Sequence, residues 1–273
     1  DWYFIDGFPL KSEWGEIPNF KCFGYYGGMP KLNLKNPEVE KYITDVACYW
    51  IKECDIDGWR LDVGDEISHF FWKNFRKAVK AVKKDLLIIG EIWHYAGDFL
   101  EGDEWDTVMN YPFYLNLIDL LADEKITVSQ FVQNLGYLKG RLNKNCYPLM
   151  WNLIDSHDTA RFLHLCNDNK KKQHLAAAFQ LLLPGMPMIY YGDEYAMPGA
   201  NDPDCRRGMY WDEEYQDKEM YEWYKRLIQV RKIHACIVEG ELAGSVTEDE
   251  EGTVVLIRKN GEETIAMIFN SSS

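Results

Sequence analysis

The 273-residue sequence lacks several features that would place the protein in other classes. No apolar run is long enough to cross a bilayer, and no segment has low complexity. Positive charge is scarce, because 44 Asp and Glu outnumber 30 Lys and Arg and give a formal net charge of -14. This charge would repel nucleic acids and anionic lipid surfaces but not a neutral ligand. The composition therefore argues against nucleic-acid and membrane partners.

Closely paired cysteines are missing as well. The seven cysteines are odd in number, and we expect them to be reduced thiols. Their spacing matches no metal site, so we expect no zinc and no cofactor. These observations favour the cytoplasm as the compartment.

The sequence does contain two carboxylates that lie one strand-helix-strand repeat apart. Asp62 ends the strand-like segment from Ile56, and Glu91 ends the apolar run from Leu86. Between them, from Ser68 to Lys84, apolar residues recur at helical spacing. Such a unit gives parallel neighbouring strands whose carboxyl ends lie at the same edge. That edge is where (β/α)8 barrels carry their active sites.

Strand alternation assigns directions to these side chains. Arg60 and Asp62 point to the same side of their strand, so the guanidinium should keep Asp62 ionised. A neighbouring anion and the apolar Ile92 and Trp93 should favour the protonated form of Glu91. A charged nucleophile beside a protonated acid is what a retaining glycosidase needs, with carboxyl groups roughly 5 to 5.5 Å apart.

A simpler explanation is that acids at strand ends are helix caps or solvated loop groups, and for either carboxylate alone it is the better one. The pair together with Arg60 favours catalysis. A third strand-like segment, 148–154, leads into Asp155-Ser156-His157-Asp158. His157 and Asp158 are suited to hydrogen bonding with sugar hydroxyls.

Several segments carry a resemblance to the α-amylase family of glycoside hydrolases. Gly58–Val63, Gly90–His94 and Ser156–Asp158 resemble the second, third and fourth signature regions of that family, in the family order. The form of Met29–Asn33 resembles the fifth region of the neopullulanase, cyclomaltodextrinase and maltogenic amylase-like group and of oligo-1,6-glucosidases. Residues 185–194 resemble the eighth barrel strand, and 201–212 the loop after it in the neopullulanase group.

The resemblance implies roles for the matching residues. Asp62 would be the nucleophile, Glu91 the general acid/base, and Asp158 the residue that holds ring hydroxyls as the sugar distorts. Arg60 would orient Asp62, and His157 would donate to hydroxyls of the sugar in the cleaved subsite.

The resemblance also suggests an outer set of substrate-binding residues. Trp93 and His94 would lie on the leaving-group side, and Glu66 could also reach it, although packing beside a strand explains Trp93 equally well. Asp202 and Arg206 could bind sugar further from the cleaved bond, but a loop salt bridge is the slightly better explanation for them.

The family's first region, Asp-x-x-x-Asn-His, is not found in this sequence. We therefore expect an internal part of a longer enzyme, inactive by itself if the missing region is essential. Its α/β fold would comprise strands four to eight of a (β/α)8 TIM barrel and the start of an antiparallel β-domain. Residues 1–35 would end the insertion after strand three, 36–236 would belong to the barrel, and 237–273 would start the β-domain. Calcium, common in such relatives, would bind through segments outside this chain.

The periodicity predicts individual elements. A helix should start at Asn36-Pro37 and bury Val39, Ile43, Val46 and Trp50. Further strands are predicted at 107–111, 149–154 and 187–191, and helices around Phe131–Leu142, Ala176–Leu183 and Trp223–Val230. Asn260-Gly261 predicts a hairpin turn.

The expected function is hydrolysis of α-1,4 links in maltodextrins, cyclodextrins or pullulan, with α-1,6 cleavage left open. An oligo-1,6-glucosidase or glucanotransferase is the main alternative, and a non-catalytic binding module is another. The presence of both Asp62 and Glu91 counts against the binding module. In the neopullulanase group an additional N-terminal domain closes the cleft by dimerisation, so a homodimer of the full-length enzyme is also expected.

Overall fold

A computed structural model describes residues 1–12 and 17–271 of the chain. The chain divides into two compact units. The first contains Asp1–Ile92 and Asp98–Asp106, and the second contains Trp93–Gly97 and Thr107–Ser273.

The first unit is built on one strand-helix-strand repeat. Its elements are α1 (Pro37–Cys54), β1 (Gly58–Leu61), α2 (His69–Val82) and β2 (Leu87–Gly90). The side chains of Asn36 and Ser68 cap the two helices by accepting backbone N–H groups. Strands β1 and β2 are parallel, with Gly58 opposite Leu87 and Leu61 opposite Gly90. The predicted repeat is therefore present.

The buried face of α1 differs from the predicted one. Val39, Ala47 and Ile51 are buried, whereas Val46 and Trp50 are exposed. The buried residues lie at spacings of eight and four, so the stripe runs along i, i+4 rows. Val46 and Trp50, which we predicted to be buried, are also four residues apart, but they lie on a neighbouring row of the same helix.

Aromatic packing closes the first unit next to the carboxyl end of β2. The rings of Phe99 and Trp105 stack with centroids 4.1 Å apart, and the Trp72 indole N–H donates to the carbonyl of Gly64 at 2.8 Å. A Cβ added to Gly90 would lie 2.2 Å from the Trp105 ring. Only a glycine therefore fits immediately before Glu91.

The first part of the second unit consists of short strands and helices. In chain order these are β3 (Thr107–Val108), α3 (Tyr111–Leu117) continued by a π-helical turn (Ile118–Ala122), α4 (Val128–Arg141), β4 (Trp151–Asn152), α5 (Phe162–Leu165), α6 (Lys170–Leu182) and β5 (Met186–Pro187). Strands β4 and β5 are parallel, with Trp151 opposite Met186.

These strands are shorter than the sequence predicted. The segment predicted as a strand to residue 111 ends at Val108, because the Asn110 side chain caps α3. Leu149 belongs to a 3-10 turn that contains Pro148, and β5 covers only Met186–Pro187, although the Met188 N–H still donates to the Asn152 carbonyl at 2.8 Å. The helices predicted around Phe131–Leu142 and Ala176–Leu183 are present as α4 and α6, and the one around Trp223–Val230 lies within the later helix Lys218–Ile233.

The second unit ends in two helices and a sheet. Helix α7 (Lys218–Ile233) and the short α8 (Ala235–Glu239) precede an antiparallel sheet of β6 (Glu241–Glu248), β7 (Thr253–Asn260) and β8 (Glu263–Asn270). The hairpin predicted at Asn260-Gly261 joins β7 to β8, and Gly261 has a φ of 55°. The sheet packs on the helices through Phe269, whose ring stacks on Phe179 of α6 at 4.3 Å.

All seven cysteines are free thiols, and four of them are buried. Among residues 1–12 and 17–271, no helix is both long and apolar enough to span a membrane.

The contact between Gly90 and Trp105 predicts the effect of a substitution on stability. Gly90→Ala should lower the free energy of unfolding by about 1 to 3 kcal/mol, because the added methyl group overpacks a rigid indole ring. The control is Gly136→Ala on the exposed side of α4, where an added Cβ would meet nothing within 4 Å. It should stabilise the helix by about 0.5 to 1 kcal/mol. Urea unfolding measures both, and a neutral Gly90→Ala would contradict the close packing.

Candidate active site

The strand pairing in the first unit brings Asp62 and Glu91 to the same sheet edge. Each directly follows a strand, and the last residues of the two strands, Leu61 and Gly90, are paired. The backbone N–H of Glu91 continues the ladder by donating to the carbonyl of Leu61 at 2.9 Å. The two carboxylates are thus held by neighbouring backbone positions.

A single guanidinium contacts both carboxylates. The Nη1 atom of Arg60 forms a short ion pair with Asp62 Oδ1, and its Nη2 atom lies 2.8 Å from Glu91 Oε1. Strand alternation predicted the first contact but not the second. The second depends on the register between β1 and β2, which the sequence does not specify.

The two carboxylates differ sharply in environment. The Asp62 side chain is 75% exposed and that of Glu91 only 3%. Glu91 Oε2 also accepts the backbone N–H of Val63 at 3.0 Å. Val63 itself has a φ of 46°, a left-handed conformation that is strained for a β-branched residue. Strain of this kind is often stored at functional sites.

Glu66 lies in a 3-10 turn, Gly64–Glu66, just after Asp62. Its carboxylate forms an ion pair with the Lys31 ammonium, which also donates to the Glu66 carbonyl at 3.1 Å. Lys31 belongs to the Met29–Asn33 segment but was not predicted as a site residue. Its position inside that segment was the signal available in the sequence.

A second polar cluster lies in the second unit, in the turn after β4. His157 Nε2 is 3.1 Å from Asp158 Oδ2, and Arg206 Nη2 is 3.2 Å from Asp158 Oδ1. Arg206 Nε also donates to the carbonyl of His157 at 2.8 Å and lies 2.8 Å from Asp202 Oδ1. The predicted loop salt bridge between Asp202 and Arg206 is therefore present. It belongs to a network that holds His157 and Asp158.

Trp93 lies on an aromatic platform in the second unit. Its ring is 43% exposed and stacks on Tyr111 with centroids 4.1 Å apart and an interplanar angle of 13°. Trp93 and the exposed His94 open a pocket of about 390 Å³ between their loop and the helices α3 and α4. On the α4 side, the Arg141 guanidinium lies over the Tyr95 ring, 4.0 Å from its centroid. Trp93 therefore packs on Tyr111 with one face and leaves part of its surface exposed, which is compatible with both of the roles expected from the sequence.

Comparison with known proteins places this geometry in a family. The family model described as the alpha amylase catalytic domain matches residues 12–240. The chain belongs to the α-amylase family. It is 48% identical over 275 residues to a cyclomaltodextrinase of Thermoanaerobacter pseudethanolicus and 45% identical over 273 residues to one of Geobacillus thermopakistaniensis. All of the chain is matched in both cases, but only 47% and 46% of those proteins. The chain thus spans about half their length.

Solved structures of α-amylase family relatives agree. A cyclomaltodextrinase matches 98% of the chain with a TM-score of 0.94 and 39% identity, the chain covering 46% of that protein. A cyclic α-maltosyl-(1→6)-maltose hydrolase of Arthrobacter globiformis, solved with that sugar, matches 98% with a TM-score of 0.92 and 35% identity, the chain covering 59% of it. These matches imply the TIM-barrel fold of the family's catalytic domain.

Within the described parts of the chain, no three His, Cys, Asp or Glu side chains are grouped so that they could hold a metal ion.

The position of Arg60 between two carboxylates predicts that its loss is costly. Arg60→Met should lower the free energy of unfolding by about 2 to 4 kcal/mol, because Asp62 would lose its counter-ion and the buried Glu91 carboxyl group would lose the donor at 2.8 Å. This loss of stability is smaller than that expected for a fully buried ion pair, because the Arg60 side chain is 29% exposed.

Arg207→Met is the matched control, since that guanidinium pairs with Asp204 and both side chains are well exposed. Its loss should have a much smaller effect. Glu91→Gln should cost less stability when added to Arg60→Met than when made alone, because the contact between the two side chains is then already lost. Urea unfolding of the complete cycle would contradict the interpretation if the two substitutions were additive.

Proposed function

We propose that the protein acts as a retaining glycosidase on α-1,4 bonds of maltodextrins and related α-glucans. The observation that carries this proposal is the single guanidinium of Arg60 held against both Asp62 and Glu91 at neighbouring strand ends. Membership of the α-amylase family and identity to cyclomaltodextrinases support it. The same comparisons support the assignment of the predicted barrel strands four to eight to β1 through β5.

The reaction follows from the two environments. The exposed Asp62 carboxylate attacks C1 of the sugar while Glu91 gives its proton to the departing glycosidic oxygen. This step forms a glycosyl ester on Asp62 and leaves Glu91 ionised. Glu91 then takes a proton from a water molecule, whose oxygen attacks C1 and displaces Asp62. Two inversions at C1 retain the α configuration and restore both carboxyl groups.

The other site residues bind and orient the sugar. Asp158 would accept hydrogen bonds from ring hydroxyls of the sugar that is cleaved, and His157 would donate to hydroxyls of the same sugar. Arg206 holds Asp158 in position through its ion pair. Trp93 and His94 would contact the leaving-group side, where a flat aromatic face suits a glucose ring. Glu66, held by Lys31, would support that side. These roles rest on the matched positions together with the contacts described above.

The linkage that the protein prefers can be determined by testing several substrates. A structural relative acts on a cyclic sugar that contains (1→6) linkages. Product analysis on cyclodextrin, pullulan, maltotriose and isomaltose separates the possibilities. Cleavage of cyclodextrin and maltotriose is expected, whereas activity confined to isomaltose would replace the proposal with an α-1,6-glucosidase.

Asp62→Asn should lower kcat by roughly 10⁴-fold or more, because the nucleophile is lost. A fluorinated glucosyl donor should label a peptide that contains Asp62 in the unmodified enzyme, as detected by mass spectrometry. Asp57→Asn, just before the start of the same strand, is the control and should retain activity. Labelling of a peptide without Asp62 would overturn the assignment.

Glu91→Gln should lower turnover of natural glucans by roughly 10² to 10⁴-fold, because the proton donor is lost. Aryl glucosides with good leaving groups need little protonation, so glycosylation by them should be much less affected. Pre-steady-state rates of phenolate release with a series of aryl leaving groups measure this difference. Equal losses for activated and natural substrates would contradict the acid role.

A further inference from the structure

A charged cluster is fully buried in the second unit, behind the turn that carries His157 and Asp158. Asp155, Arg161 and Asp193 are each at most 1% exposed. Asp155 precedes His157 by two residues, and Arg161 follows Asp158 by three. Asp193 lies in the turn after β5. None of the three was predicted as a functional residue.

Each carboxyl group of the cluster has one oxygen with a clear partner. Asp155 Oδ2 accepts the backbone N–H of Phe162 at 2.8 Å, and Asp193 Oδ1 lies 3.1 Å from Arg161 Nη1. The Arg161 guanidinium also lies over the rings of Tyr190 and Tyr191, 4.4 and 4.9 Å from their centroids. The cation thus contacts one carboxylate and two rings, while its buried Nε and Nη2 atoms find no acceptor among the described residues.

The two remaining carboxyl oxygens reveal a missing proton. Among the described residues, Asp155 Oδ1 and Asp193 Oδ2 find no donor, although both are buried. Yet the two carboxyl groups are within hydrogen-bonding reach of each other. Two ionised carboxylates can only accept, so a hydrogen bond between them requires a proton on one. A proton on one carboxyl group would give the pair this hydrogen bond.

Charge balance leads to the same requirement. Two ionised carboxylates and one guanidinium would leave a net negative charge in a site with almost no solvent, which is strongly unfavourable. Burial raises the pKa of Asp155 to about 6 and that of Asp193 well above its usual range, where the Asp155 charge adds to the effect. The titratable groups outside the cluster that act on it are Glu194, Tyr114, Tyr190 and Tyr224.

We propose that Asp155 and Asp193 share one proton at neutral pH and form a neutral unit with Arg161 that positions the 155–161 turn. The unit joins both ends of the turn, since Asp155 begins it and accepts the backbone N–H of Phe162, directly after Arg161, at 2.8 Å. Inside it, Thr159 Oγ1 accepts the Ser156 N–H at 2.9 Å and Ser156 Oγ accepts the Asp158 N–H at 3.2 Å. The consequence for catalysis rests on the proposed sugar-binding role of His157 and Asp158.

Asparagine substitutions test the shared proton, because an amide imitates a protonated carboxyl group. Asp155→Asn or Asp193→Asn alone keeps the unit neutral, whereas the double variant leaves Arg161 with no counter-ion in the unit. The double variant should raise the unfolding equilibrium constant roughly tenfold or more beyond the product of the two single effects. Urea unfolding at pH 7 measures all four proteins. Effects that simply multiply would overturn the neutral unit.

The pH dependence of stability gives an independent measurement. A carboxyl group whose pKa is raised in the folded state stabilises the protein below its unfolded pKa, and this contribution is lost as pH rises through the folded pKa. The unmodified protein should therefore lose stability from about pH 4 to 6 through Asp155, and further at higher pH through Asp193.

Each single asparagine variant should show a smaller loss above pH 6, because the remaining carboxylate no longer faces a second one. Asp217→Asn is the control. The pKa of Asp217 is lowered in the folded protein, so its contribution to the free energy of unfolding is lost in acid instead. An identical alkaline loss in the unmodified protein and both single variants would contradict the proposal.

Activity on maltotriose tests the positioning role. The single variants should keep kcat at neutral pH within about twofold, and their KM should rise less than that of the unmodified protein above neutral pH, because no second ionisation disturbs the turn. A merely structural role would leave the pH dependence of KM unmoved, and that result would overturn the positioning role. If no α-glucan were cleaved, the proposed function would fail, but the stability measurements would still decide the shared proton.

Discussion

The register between β1 and β2 is the constraint on which the candidate chemistry depends. It places the residues after Leu61 and Gly90 side by side, so that Arg60 meets Glu91 as well as Asp62. A shift by one residue would turn Glu91 to the other face of the sheet and leave the guanidinium with Asp62 alone. The close contact of Gly90 with the Trp105 ring opposes any such shift.

The sequence predicts much of this arrangement, because the relevant information is local. Strand alternation is enough to direct Arg60 and Asp62 to the same side, and helical periodicity is enough to identify α2 between the strands. Contacts between elements are a different matter. The pairings of Arg60 with Glu91 and of Lys31 with Glu66 depend on how segments meet in space, which no local pattern records.

Burial of polar residues was the larger gap in the prediction. Asp155 and Arg161 flank His157 and Asp158 in a polar stretch, and polar stretches usually form solvated loops. Here the turn folds inward, and the two flanking residues are among the most buried side chains of the second unit. The same reasoning explains the error in α1, where Val46 and Trp50 are apolar yet exposed. Residue type indicates a preference for burial, but neighbouring elements decide it.

The two groups of charged residues differ in their exposure to solvent. Asp62 is exposed to solvent and Glu91 is buried beside it, so their shared cation must tolerate changes of charge as a reaction proceeds. The cluster of Asp155, Arg161 and Asp193 is buried throughout, and any change of charge there would carry the full desolvation penalty. A site that transfers protons needs the first environment. The proposed support for the 155–161 turn needs the buried environment. Its protonation then does not change when a sugar binds or reacts.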